Sequence, residues 1–233
     1  MIKLLLFDID GTLVLTGGAG GRAMARAAAD TFGVEGELRS ISMAGRTDAW
    51  IVSQMAATYG VPCNEGLLSR FHDAYISHLR REIHEPGPRK GVLPGVRDVL
   101  QGLRTRTHVH TALLTGNFER GAQIKLEYFD LWGYFRLGAF GDAAHDRNSL
   151  LGVALARFRA SGGPPVEPSE VLVIGDTPLD VAVALAGGAR SLAVATGGYT
   201  MEELKASGAD AVLRDLSDVN AALSEMGLAA GPG

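Results

Sequence analysis

Residues 2–13 read Ile-Lys-Leu-Leu-Leu-Phe-Asp-Ile-Asp-Gly-Thr-Leu, and this stretch decides the fold. Ile2–Phe7 is nearly continuous in apolar residues, as a strand covered on both faces by helices requires. The run stops at Asp8, and Asp10 and Gly11 follow at once. An apolar strand ending in acidic and turn-forming residues is one whose carboxyl end carries chemistry.

The same arrangement recurs. Val109–Leu114 runs into Thr115-Gly116-Asn117, and Val171–Ile174 runs into Gly175-Asp176-Thr177. Weaker runs at Leu137–Phe140 and Ser191–Ala195, with Val212 and Leu213, add further strands. Helical spacing separates them. Pro94–Arg104 places Val96, Val99, Leu100 and Leu103 on one face, with Pro94 suited to the first turn. Phe118–Tyr128, Ser149–Arg159, Pro178–Ala186 and Met201–Ala206 read alike. Strand and helix in alternation predict an α/β fold, a Rossmann-like parallel sheet with right-handed crossovers.

One segment breaks the rhythm. Residues 16–90 carry helical patterns (Gly20–Phe32, Asp48–Tyr59, Asn64–Ile83) and no strand. They predict an inserted α-helical cap, with residues 1–15 and 91–233 forming the α/β core. His84–Gly95, with Pro86, Pro88 and Pro94, suits the return linker.

The bulk numbers suit a folded, soluble chain of this size: 233 residues, 46% hydrophobic and 21% charged. A net charge of −4 gives no footprint for nucleic acid or an anionic membrane. No apolar run reaches the roughly 18 residues of a membrane span. The start, MIKLLLFDID, reads as a strand and not a signal peptide. The single cysteine, Cys63, makes a cytoplasmic location the default. Nothing in the sequence sets an oligomeric state.

Three strand ends in one crevice would gather Asp8, Asp10, Thr115, Gly116, Asn117 and Asp176. Carboxylates so close stay ionised only with a cation among them, and oxygen ligands beside a phosphate favour Mg²⁺. Asp8 could then attack phosphorus in line. Asp10 could protonate the leaving oxygen and later deprotonate water. Thr115, with the N–H groups of Gly116 and Asn117, could hold the phosphoryl oxygens.

Asp8-Ile9-Asp10-Gly11-Thr12-Leu13 is similar to the first motif of the haloacid dehalogenase-like hydrolases. Leu114-Thr115-Gly116-Asn117 resembles their second motif, and Gly175-Asp176-Thr177-Pro178-Leu179-Asp180 their fourth. With the helical insert after the first motif, the chain resembles the phosphoglycolate-phosphatase-like branch. The resemblance implies that Asp8 is nucleophile and Mg²⁺ ligand, and that Asp10 is acid/base and binds the metal through its backbone carbonyl. It makes Asp176 the third ligand, has Asp180 orient water or a nearby cation, and has Thr12 support the loop. The family's third motif is usually a lysine. The matching stretch here, His145-Asp146-Arg147-Asn148-Ser149, has none. Arg147 is the candidate replacement and Lys125 the fallback.

Several residues carry two readings. Thr115 suits a helix N-cap as well as a phosphate loop, Asp180 a first-turn helix residue, and Arg147 a solvated helix start. Gly18-Ala19-Gly20-Gly21-Arg22-Ala23 imitates a dinucleotide fingerprint, but ten residues past Asp8 it suits a hinge into the cap better. Arg46 either meets a substrate carboxylate or phosphate or is a surface loop residue beside a helix cap at Thr47 or Asp48. His108 and His110 lack a third metal ligand nearby.

The expected function is hydrolysis of a small phosphorylated metabolite, phosphoglycolate being one choice. Asp10 disfavours dehalogenation, which has no leaving alcohol to protonate. The absence of lysine from residues 15–89 disfavours a phosphonatase-type Schiff base. A sugar-phosphate mutase and a non-catalytic phosphate-binding or regulatory protein remain alternatives.

Overall fold

The computed structural model describes residues 1–33, 41–142 and 146–228. In chain order its strands are β1 (Leu4–Phe7), β2 (Val14–Leu15), β3 (Gly91–Val92), β4 (His110–Leu114), β5 (Gly138–Ala139), β6 (Val171–Gly175), β7 (Arg190–Val194) and β8 (Ala211–Leu213). The α-helices are α1 (Ala19–Phe32), α2 (Asp48–Thr58), α3 (Glu65–Glu82), α4 (Val96–Arg104), α5 (Glu119–Tyr128), α6 (Leu150–Ala160), α7 (Pro178–Gly187), α8 (Met201–Ala206) and α9 (Val219–Glu225).

Strand β1 lies inside the sheet, and its four residues are fully buried. It pairs in parallel with β4 on one side and β6 on the other. The full order is β5-β4-β1-β6-β7-β8, every pairing parallel. Renumbered along the chain, that is the doubly wound order 3-2-1-4-5-6, which reverses beside the first strand and opens a crevice there.

The side-chain period of two sorts β1 between the sheet's faces. Leu5 and Phe7 join Val99, Leu100 and Leu103 of α4, Leu126 of α5 and Leu223 of α9. Leu4 and Leu6 point the other way, toward Leu150, Ala154 and Phe158 of α6 and Val183 of α7. Each such leucine contributes about 1.5–3 kcal/mol by leaving water, so two covered faces explain a strand with no polar residue.

Helices α1, α2 and α3 have a hydrophobic cluster of their own, built on Met24, Val52, Met55, Phe71 and Leu79. It extends onto Phe118 and Ile124 beside and within α5. Arg22 and Arg26 of α1 donate to the two oxygens of Glu82 in α3, at 2.6 and 2.7 Å. These helices leave and rejoin the sheet domain at one place. There β2 and β3 pair antiparallel, Val14 beside Val92 and Leu15 beside Gly91.

The expected helices form within one or two residues of their sequence-read ends. The ribbon β2–β3 and helix α9 were not expected: two-residue strands are too short to show a period. Pro94 precedes α4 and does not enter it. Gly95 intervenes as the N-cap at φ 77°, where a side chain would collide with the Leu216 carbonyl. Among the described residues no helix is long and apolar enough to cross a membrane.

Candidate active site

The carboxyl ends of β1, β4 and β6 open into one cavity of about 370 Å³, lined also by α1, the start of α2 and Tyr75 of α3. Asp8 is held at its floor because its N–H continues the sheet, donating to the Ile174 carbonyl at 2.9 Å. Only 5% of Asp8 is exposed. Burial pushes its carboxyl up to about 7, against the pull of Arg147, with Asp180 and Asp10 adding repulsion.

Asp176, at the end of β6, is buried and pushed up to about 9, first by burial and then by Asp180 and Asp8. Thr12 donates to its Oδ1 at 3.2 Å. Two glycines make room for it. A Cβ on Gly11 would lie 2.3 Å from Asp176 Oδ2, and one on Gly197 only 1.7 Å away. Gly11 also sits at φ 86°, a backbone state that other residues adopt with strain.

Arg147 lies beside Asp8. It is 6% exposed, so it is no solvated helix start. Its Nη2 lies 2.5 Å from Asp180 Oδ1 and 3.2 Å from Asp8 Oδ1. Burial works against its charge, but Asp180 and Asp8 outweigh that and raise its pKa. Asp180 is a first-turn helix residue that also contacts Arg147. It stands at the third position of α7 in a capping box with Thr177, whose N–H and hydroxyl donate to Oδ2 at 3.1 and 2.7 Å. Its other oxygen takes Arg147. His145, beside this stretch, lies outside the described residues.

Thr115 does not cap α5, whose N-cap is Phe118. Its hydroxyl accepts from the Asn117 side-chain amide at 2.7 Å and the Asn117 N–H at 3.3 Å. Lys125, the fallback for the third motif, contacts the other carboxylate of the first strand end. Its ammonium donates to Asp10 Oδ2 and to Asn117 Oδ1, each at 2.6 Å. The Asn117 amide donates to the same Asp10 oxygen at 2.9 Å. Burial alone would depress the Lys125 pKa, but Asp10, Tyr75 and Asp48 raise it. Asp10 is the open member of the set, with its side chain 40% exposed.

The helical layer reaches this site through the loop before α2. Thr47 caps α2, accepting from the Trp50 N–H at 3.2 Å. Arg46 is exposed, lines the cavity and stacks over Trp50, its guanidinium carbon 4.5 Å from the ring centre. Asp48 was read only as a possible cap. It is buried and clasps the second strand-end loop twice. Its N–H donates to the Gly116 carbonyl at 2.7 Å, and its Oδ2 accepts from the Phe118 N–H at 2.8 Å. Burial, against the pull of Lys125, pushes the Asp48 carboxyl up to about 7. Arg89, another cavity-lining residue, was not anticipated.

A divalent cation fits the floor. Oxygens of Asp8, Asp176 and Asp180 lie within 4.8 Å of one another, all three residues buried. One guanidinium cannot neutralise three such carboxylates. Asp180 is already committed to Arg147 and Thr177, whereas among the described residues Asp176 takes a hydrogen bond from one neutral hydroxyl and has a glycine-lined space beside it. All-oxygen donors of this kind suit a hard cation.

The family model described as haloacid dehalogenase-like hydrolase matches residues 5–185. Phosphoglycolate phosphatase 1 of Pseudomonas aeruginosa is 30% identical over 207 residues, covering 84% of this chain and 70% of that protein. A phosphoglycolate phosphatase of Pseudomonas putida is 27% identical over 221 residues, covering 92% and 77%. Among solved structures, a hydrolase from Pseudomonas syringae superposes with a TM-score of 0.73 at 22% identity, covering 99% of this chain and all of that one (100%). A haloacid dehalogenase-like family protein from Streptococcus pneumoniae gives a TM-score of 0.65 at 18% identity, covering 95% and 98%. The family model spans the first strand, the helical layer and the Asp180 helix together, and it carries the conclusion that this chain is an enzyme of the haloacid dehalogenase-like hydrolase family.

Proposed function

We propose that the chain is a Mg²⁺-dependent phosphatase that hydrolyses a small phosphate monoester through an aspartyl-phosphate on Asp8. The observation that carries this reading is the pair of carboxylates at the end of β1. Asp8 is buried against the Arg147 guanidinium, and Asp10, two residues on, is open to the cavity.

Asp8, Asp176 and the Asp10 backbone carbonyl would hold Mg²⁺, which supplies charge neutralisation of the phosphate dianion. An Asp8 oxygen bonds to phosphorus as the ester P–O bond breaks, and the departing alkoxide takes the proton of the Asp10 carboxyl group. A water then attacks the same phosphorus and gives its proton to Asp10, and Asp8 leaves as carboxylate with free phosphate as product. Thr115 and the N–H groups of Gly116 and Asn117 hold the phosphoryl oxygens, and Arg147 offsets charge on Asp8 and the phosphate.

Residues 16–90 act as a cap in this reading, with Gly18–Gly21 as the hinge that lets it open and close. Arg46, on the cap and facing the cavity, receives an anionic group of the substrate. Phosphoglycolate, which carries a carboxylate besides its phosphate, is the first candidate, since it appears in the names of two relatives. The cytoplasm is the proposed location.

The test is release of phosphate from p-nitrophenyl phosphate with and without Mg²⁺, by wild type and Asp8→Asn. Equal rates in every condition would reject the mechanism. A panel of metabolite phosphates, phosphoglycolate among them, identifies the substrate.

A further inference from the structure

Two buried cations stand behind the two carboxylates of the first strand end, and each serves a different one. Arg147 contacts Asp8, and Lys125 contacts Asp10. The family resemblance provides for one cation at this site; Arg147, the candidate for it, stands beside Asp8, whereas Lys125, the fallback, stands beside Asp10, where the resemblance assigns no cation.

Lys125 is 4% exposed and fenced in. Helix α1 crosses its ammonium at Gly20, where a Cβ would come within 3.3 Å of Nζ and 3.9 Å of the Tyr75 hydroxyl. On α5 itself, Gly121 lets the Tyr75 ring close in, since a Cβ there would sit 3.0 Å from Tyr75 Cε1. The ammonium therefore has one direction open to it, toward Asn117 and Asp10. An ammonium has only donors to offer, so the Asn117 amide turns its oxygen to Lys125. Its NH₂ group then faces Thr115 and Asp10, as the distances of 2.7 and 2.9 Å show. The result is that, among the described residues, both donors to the Asp10 carboxylate fall on Oδ2: Lys125 Nζ at 2.6 Å and Asn117 Nδ2 at 2.9 Å.

We propose that Lys125 is the positioning residue of the acid/base: with Asn117 it occupies Oδ2 of Asp10 and so reserves Oδ1 for proton transfer. The proposal rests on the phosphatase reading, in which Asp10 hands a proton to the departing oxygen. Without Lys125, Oδ2 loses its charged partner, the Asn117 amide is free to rotate, and the Asp10 carboxyl no longer presents a fixed oxygen.

Leaving-group dependence tests this. Nitrophenolate departs without a proton, whereas phenol, which titrates near 10, needs one. In rapid-quench measurements, Lys125→Met is expected to slow phosphorylation by phenyl phosphate about 10²-fold, the usual worth of general acid catalysis, and phosphorylation by p-nitrophenyl phosphate less than about threefold. Lys125→Gln, which keeps a neutral donor, should show the same split at smaller size, and it carries the test if the Met variant does not fold. Equal losses on the two esters, or no loss on either, would overturn the proposal. Failure of the underlying mechanism looks different: wild type would then trap no acid-quenched phosphoenzyme that Asp8→Asn lacks.

Discussion

Arg147 and Asp180 are joined at 2.5 Å, and the same guanidinium nitrogen reaches Asp8 at 3.2 Å. Asp180 thereby fixes the cation that faces Asp8, and the Thr177 capping box fixes Asp180. The orientation of the cation facing Asp8 traces back to an ordinary helix start.

Arg147→Ala should lower turnover of p-nitrophenyl phosphate by about 10²–10³, the range for losing one preorganised charge donor. It should also destabilise the protein by about 3 kcal/mol, because two buried carboxylates lose their partner. Arg147→Lys keeps charge but not the two-way reach, and should fall between. Steady-state rates and denaturant melts on the same preparations check both parts.

Mg²⁺ should raise the melting temperature of the wild type. At about 100 times its dissociation constant a ligand adds about 2.7 kcal/mol, or roughly 5 °C or more for a chain of this length. Asp176→Asn should abolish that rise, and Asp10→Asn should largely keep it, since the proposed ligand there is the backbone carbonyl. Thermal melts with and without the metal read this independently of activity.

Gly197→Ala should act like a loss of Asp176. The new Cβ would meet Asp176 Oδ2 at 1.7 Å, so the carboxylate must move. The expected outcome is a folded protein whose melting temperature no longer responds to Mg²⁺. An unchanged response would show that the loop after β7 yields instead.

Asp48 should make stability fall with rising pH. Its carboxyl titrates at about 7 in the fold against an ordinary value of 3.8. Between those values the folded state holds a proton that the unfolded chain has released, so the slope of stability against pH is negative. Asp48 contributes fully below about 4 and loses its contribution as pH passes 7. Asp48→Asn keeps an oxygen for the Phe118 N–H and carries no charge. Its melting temperature relative to wild type should be higher at pH 8 than at pH 5, by the equivalent of a few kcal/mol on the scale of about 1.4 kcal/mol per pH unit. Lys125 is the charge facing it that would shrink the difference.

The sheet was legible because β1, β4 and β6 are covered on both faces, which forces an uninterrupted apolar run and a polar stop. Asp8, Thr115 and Asp176 follow from those stops, and the cavity does gather them. Arg147 was legible only by its place ahead of the last of those strands. What makes it a buried partner of Asp8, the pull of Asp180 from another helix, is a contact across 33 residues that no local pattern records. Asp48 and Lys125 were harder still. Each looks like a routine helix residue, one in a first turn and one in a last turn. Asp48 acquires its meaning only where the helical layer lands on the loop after β4, and Lys125 only where α5 passes behind the ends of β1 and β4. Gly20 shows the reverse: it belongs to a glycine pattern that mimics a nucleotide fingerprint, yet in the fold it lies where α1 passes the Lys125 ammonium, a Cβ there coming within 3.3 Å of Nζ.

The ribbon of β2 and β3 has a consequence of another kind. Val14 and Val92 lie side by side, so the chain departs and comes home through a single doorway. A segment whose ends are neighbours can be exchanged for a longer, shorter or unrelated one without rethreading anything behind the door. Diversity in what enters the chamber can then accumulate on one side of the threshold while the machinery on the other side stays as it was.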